Sequence, residues 1–292
     1  MSVESALALI ESVKEEKVLF IGETIIDEYC FVSPMSKPSK ENILAVRMRS
    51  SETWKGGVIA ARNHASSFCH VAHITVGNEI RKVRYVEENY SHKLFEVQHI
   101  EETPAKEKVP QEIMDRFSTL AVTDFGHCML TGPVVDQLCT SGKFLAVAAQ
   151  TNAHNAGFNL ITKYQKADYI VIDEQEARLA AQDRDGHIED VIHKLAHGRC
   201  DKFIVTHGRH GAYGYQSGKF YRQPALSSGV VDTMGAGDAF FAVTAPMAKR
   251  GDMEDLLFIG NAAGALKTQI VGHRNPVTKD ALVSFLKAHG TR

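Results

Sequence analysis

The chain has 292 residues, of which 44% are hydrophobic and 23% charged, with a formal net charge of −2. This is an ordinary globular composition, and the length suits one large domain. So small a net charge gives no electrostatic argument for nucleic acid or for an anionic membrane surface as a partner.

From the N-terminus, residues 2–16 have helical periodicity, with Leu7, Ile10 and Val13 on one side. The stretch has neither the basic start nor the long apolar core of a signal peptide. No run reaches the ~18 apolar residues that a membrane span needs. Cys30, Cys69, Cys128, Cys139 and Cys200 are odd in number and widely spaced, with no C-x-x-C pair. They fit a reducing compartment rather than a disulfide framework or a cysteine zinc site, so the chain is expected to be cytoplasmic.

Val18-Leu19-Phe20-Ile21-Gly22 reads as a buried parallel strand, and similar runs recur at 71–76, 120–123, 144–148, 169–172 and 203–206. Helical patterns lie between several of them, at 60–69, 134–141, 174–182 and 188–198. Such alternation predicts an α/β fold built on a parallel sheet. Two polar, strand-like regions, about 30–55 and 81–101, break the rhythm and predict a small antiparallel β lid within a single domain over 1–292. From Val230 the pattern becomes mainly helical, over 239–250, 253–271 and 278–289.

The segment Val230-Val231-Asp232-Thr233-Met234-Gly235-Ala236-Gly237-Asp238-Ala239-Phe240-Phe241 passes through a small-residue turn into a helix. Glycines there let backbone N–H groups converge, and the helix N-terminus adds partial positive charge, so the turn suits a phosphate. A carboxylate at that helix start is placed to take the proton of an attacking hydroxyl. A bare G-x-G-D is more often only a turn with a helix cap.

The longer string resembles the signature of the PfkB (ribokinase-like) carbohydrate kinases. The likeness continues in order along the chain, at Gly22-Glu23-Thr24-Ile25-Ile26-Asp27, Gly56-Gly57, Asp173-Glu174-Gln175-Glu176, Thr206-His207-Gly208-Arg209-His210-Gly211 and Asn261-Ala262-Ala263-Gly264. Within the family it looks most like the heptose-7-phosphate kinase domains of ADP-heptose synthases, through residues 22–29, Arg81-Lys82-Val83-Arg84 and Thr123-Asp124-Phe125-Gly126.

The resemblance implies a ribokinase-like parallel-sheet sandwich, with Asp238 as general base and Gly235, Ala236 and Gly237 as anion hole. It places Asp27, Gly56, Gly57 and Asn63 on the sugar, and Asp173, Glu176, Thr206, Gly208, Gly211 and Asn261 on the nucleotide side. Glu176 is the candidate to hold Mg²⁺ through water. ATP and Mg²⁺ are the implied cofactors, with a monovalent cation such as K⁺ as a further candidate, and a homodimer through the lid is the implied assembly. Lys82 and Arg84 alternate with Val83 and Tyr85 and share one strand face; they suit a phosphate on the substrate, although a solvated edge strand is the commoner reading of such a pair. The spacing of His193 and His197 makes no zinc set.

Three departures from the family pattern stand out: Glu23 replaces the first Asp, apolar Val58 to Ala61 follow Gly57 with Asn63 coming late, and only residues 78–80 separate Gly77 from Arg81. The last removes a β-α unit and predicts a barer strand edge nearby. The expected activity is phosphorylation of a hydroxyl of a sugar or sugar phosphate, heptose 7-phosphate among them. A kinase for nucleosides or other small alcohols, and a silent nucleotide or sugar sensor, are the alternatives.

Overall fold

A computed structural model of the chain describes residues 2–101, 104, 108–127, 130–152, 155, 157–226 and 229–290; Cys128 lies outside them. The order is α1 (Val3–Ser12), β1 (Lys17–Gly22), β2 (Thr24–Pro34), β3 (Val46–Gly57), α2 (Val58–Ala65), β4 (His70–Thr75), β5 (Ile80–Glu87) and β6 (Lys93–His99). Then come α3 (Gln111–Met114), β7 (Thr119–Asp124), α4 (Gly132–Cys139), β8 (Phe144–Ala149), β9 (Tyr169–Asp173), α5 (Glu174–Ala181), α6 (Ile188–Ala196) and β10 (Lys202–Thr206). A hairpin of β11 (Ala212–Gln216) and β12 (Lys219–Gln223) precedes α7 (Ala236–Thr244), α8 (Met253–Lys267) and α9 (Lys279–His289).

The main sheet has the order β12-β11-β10-β9-β8-β7-β1-β4. It is parallel from β4 to β10 and antiparallel through the terminal hairpin. Its central strands bury both faces, as the unbroken apolar runs require. Val18 and Phe20 of β1 enter one core, with α1, α2, α7, α8 and α9. Leu19 and Ile21 enter the other, with α3 to α6. Period-two alternation of side chains thus makes a three-layer sandwich from one apolar strand.

The lid is a second sheet of order β3-β2-β5-β6. It begins at Thr24 rather than near residue 30, so Asp27 lies on a lid strand and not in the loop after β1. Nor is it wholly antiparallel, because β2 and β5 pair in parallel, Asp27 opposite Lys82 and Tyr29 opposite Arg84. The reason is topological. β2 and β5 leave the same end of the adjacent parallel strands β1 and β4, and so they run outward side by side. The short crossing after Gly77 leads directly from β4 into the lid. It leaves β4 at the edge of the main sheet, with no residue of that strand fully buried.

Candidate active site

A cavity of about 830 Å³ opens between the lid and the strand ends of the main sheet. Asp27, Gly57, Lys82 and Arg84 line it at the lid end, and Thr206, Gly208, Gly211 and Asn261 at the far end. Gly235 to Asp238 lie between, with Asp173 and Glu176 also on the wall. Ligands of open α/β sheets collect at such strand ends.

The central turn is built by α7. Gly235 is its N-cap at φ 75°, a left-handed backbone that a side chain disfavours. Asp238 sits in the first helical turn, and its Oδ1 accepts a hydrogen bond from Gln150 Nε2, which projects from the end of β8. Burial raises the pKa of Asp238, although His273 and Gln150 work the other way. Asp232, at the start of the same turn, is the opposite case. Burial opposes its charge, yet the Gly272 N–H at 3.0 Å, Lys93 at 2.9 Å and the Met234 N–H at 3.1 Å hold its pKa down to about 2.

At the lid end, Asp27 is 3% exposed and pairs with Arg84 and, at 3.3 Å, with His273. These partners overcome burial and keep its pKa below the usual carboxylate value. Gly56 does not line the cavity, but a Cβ there would stand 2.4 Å from Asp27 Oδ2, so the glycine makes room for that carboxylate. Arg84 is already matched, by Asp27 and by Glu96 at 2.6 Å. Lys82 is 7% exposed, lines the cavity and has no hydrogen-bond or ion-pair partner among the described residues. The pair is therefore not a solvated edge. It is an interior basic face on which, among the described residues, Arg84 is ion-paired and Lys82 is not.

Elsewhere on the cavity wall, Asp173 and Glu176 form a capping box at the start of α5. Asp173 accepts from the Glu176 N–H at 2.7 Å, and Glu176 accepts from the Asp173 N–H at 2.8 Å and the Thr151 N–H at 2.9 Å. Burial first, and Asp173 second, push Glu176 up to about 8; burial also raises Asp173. The 207–211 stretch is both a turn between β10 and β11 and part of the cavity wall. Asn261 donates to the Gln223 carbonyl at 3.2 Å and so ties α8 to β12 beside the cavity.

Asn63 is not brought to the site. It lies on α2, accepts from Arg62 at 2.9 Å and does not line the cavity. Glu23 does not face it either. That side chain is fully buried and accepts from the Phe125 N–H at 2.9 Å and the His127 N–H at 3.0 Å, which pins the loop after β7 to β1. Gln150, His273, Glu96 and Lys93 were missed in the sequence, because none belongs to a motif whose spacing marks it; Glu96 and Lys93 lie on β6, Gln150 follows β8 and His273 follows α8. Among the described residues no group of three or more His, Cys, Asp or Glu side chains is arranged to hold a metal. A hydrated Mg²⁺ carried mainly by phosphates needs no such group, and the buried, cation-poor carboxyl of Glu176 fits that role.

The geometry agrees with comparisons to known proteins. Over 129 residues the chain is 31% identical to the probable chloroplastic fructokinase-6 of Arabidopsis thaliana, covering 41% of this chain and 34% of that protein. Over 287 residues it is 24% identical to the bifunctional protein HldE of Rhodopseudomonas palustris, covering 84% and 58%. The chain thus spans from about a third to under two thirds of the length of these relatives. Ribokinase from Thermotoga maritima superposes with a TM-score of 0.72 at 13% identity, over 93% of this chain and 99% of that one, so the fold is ribokinase-like. The description "pfkB family carbohydrate kinase" matches residues 133–280, about half of the chain and including the Asp232 to Asp238 turn, and on that match, with the fold and the cavity, the chain belongs to the pfkB carbohydrate kinase family.

Proposed function

We propose that this chain transfers the terminal phosphoryl group of ATP to a hydroxyl of a sugar that already carries an anionic group, a sugar phosphate in the simplest case. The observation that carries this reading is Lys82, a buried lysine with no hydrogen-bond or ion-pair partner among the described residues, in the same cavity as Asp238. Leaving a buried ammonium unmatched is costly, and an anionic substrate supplies the match.

In this reading the sugar lies against Asp27 and Gly57, with its anion on Lys82. Asp27 is held ionised by Arg84 and His273 and accepts sugar hydroxyls. Gln150 holds Oδ1 of Asp238, which leaves Oδ2 to receive the proton of the attacking hydroxyl. The raised pKa of Asp238 makes it a better base than a solvated aspartate. The N–H groups at the start of α7 face the transferring phosphoryl group, so one turn presents both carboxylate and donors. Thr206, Gly208, Gly211 and Asn261 form the nucleotide end. Glu176 with Asp173 would hold a hydrated Mg²⁺ there, and the ion would supply charge neutralisation to the phosphates. The raised pKa values of these two carboxyls mark a place where a cation or a proton is favoured.

A homodimer through the lid belongs to the same proposal. Phe95 and Val97 are each 40% exposed on the face of β6 turned away from the cavity, beside Tyr85 and Val83.

The test is a coupled ATP-consumption screen over matched sugars and sugar phosphates, heptose 7-phosphate included, with Mg²⁺. The expected result is turnover of phosphorylated sugars, with KM raised about 10- to 100-fold in Lys82→Met and the ATP KM unchanged. Turnover confined to neutral sugars or nucleosides contradicts the anionic substrate. Saturable binding with no turnover of any candidate favours a sensor.

A further inference from the structure

Lys267 is the last residue of α8 and is fully buried. It does not line the cavity. Its ammonium donates to the backbone carbonyl of Met234 at 2.8 Å and to that of Ile270 at 3.3 Å. Met234 directly precedes the anion-hole glycine, and Ile270 belongs to the segment that follows α8. The same two stretches are stitched together on either side of the ammonium. The Val231 and Asp232 N–H groups donate to the Thr268 carbonyl at 2.8 and 3.0 Å, and the Gly272 N–H donates to Asp232 at 3.0 Å. The stem of Lys267 also packs on the turn, since a Cβ on Gly235 would lie 3.3 Å from its Cε.

The electrostatic logic is specific. The turn must hold its amides toward a phosphate while its own carbonyls point back, close to the C-terminal end of α8, where the helix dipole is negative. Buried carbonyls that converge there need a cation, and a bare monovalent ion coordinated by backbone oxygens is one solution. Here a covalently tethered ammonium already occupies the position between Met234 and Ile270. Burial lowers the pKa of Lys267, while Asp232 and Asp238 act to keep it charged.

We infer that Lys267 is a built-in monovalent cation that fixes the anion-hole turn, so that this chain needs no K⁺ where a bound ion would otherwise hold those carbonyls. Lys267 is a positioning residue, acting through Met234 and Gly235 and not on the substrate. The inference rests on the reading of the Gly235 to Asp238 turn as the phosphate site.

The experiment compares KCl with tetramethylammonium chloride at equal ionic strength, because the organic cation is too large to replace a bare ion. The readout is the rise in thermal unfolding temperature caused by Mg²⁺–ATP, which requires no sugar. Wild-type protein is expected to give the same rise in both salts. Lys267→Met is expected to lose most of it in tetramethylammonium, with ATP affinity down roughly 10- to 100-fold, and to regain it in KCl. Lys267→Ala, which leaves more room for an ion, is the second variant if Lys267→Met does not fold. A wild-type response that requires K⁺ overturns the inference, as does a variant equally impaired or equally competent in both salts. No turnover of any sugar, with these salt responses intact, counts against the proposed reaction and not against the tethered cation.

Discussion

Asp238 and Asp232 share one short turn yet carry opposite electrostatic loads. Asp238 is raised by burial, so its charge weakens the fold above the ordinary aspartate pKa near 3.9 and is harmless below it. Asp238→Asn is therefore expected to be at least as stable as wild type at pH 7, while kcat falls about 10²- to 10⁴-fold. Urea unfolding and steady-state kinetics on the same preparation check both, with nucleotide affinity near normal. The acid limb of the kcat profile is expected above the ordinary aspartate value; a limb at or below it removes Asp238 as the raised base. Asp232, held down to about 2, contributes stability that is fully present above pH ~4 and lost as pH falls through its folded value. Asp232→Asn should cost about 2 kcal/mol at pH 7 and progressively less toward pH 2, as read by unfolding at several pH values.

At the scale of elements, the lid is fastened to the Asp232 to Asp238 turn by named contacts. Tyr29 of β2 reaches Asp232 at 3.1 Å and Lys93 of β6 reaches it at 2.9 Å, while Arg274 pairs with Glu52 of β3. Tyr29→Phe combined with Lys93→Ala is expected to raise the sugar KM several-fold, more than it lowers kcat, because the lid positions substrate and Asp238 stays in place. An unchanged KM would show that the latch is decorative. The parallel strands and most helices were legible because unbroken apolar runs and helical periodicity mark them strongly. The parallel pairing of β2 with β5 was not, since it follows from two strands leaving the same sheet end and neither carries a local signal for its partner. Helix ends were less legible too: α8 stops at Lys267, whereas apolar periodicity continues to Val271.

For the whole molecule, motifs far apart along the chain came together in one cavity, lined by Asp27, Lys82, Thr206, Asp238 and Asn261. Motif spacing made these positions legible, because glycines and carboxylates at strand ends serve ligands in this architecture. Asn63 stayed outside because α2 turns it toward Arg62, and Lys267 escaped notice because a lysine at a helix end has an ordinary solvated reading. β4 is an edge strand of the main sheet with no fully buried residue. Phe95→Glu with Val97→Glu is expected to convert a dimer to a monomer in multi-angle light scattering; a wild-type monomer refutes assembly through the lid. The most direct test of the central claim is product analysis by mass spectrometry after incubating wild type and Asp238→Asn with ATP, Mg²⁺ and a panel of sugar phosphates. The expected result is one added phosphoryl group on a sugar phosphate with wild type and almost none with Asp238→Asn. Equal product from both proteins, or none on any sugar with wild type, contradicts it.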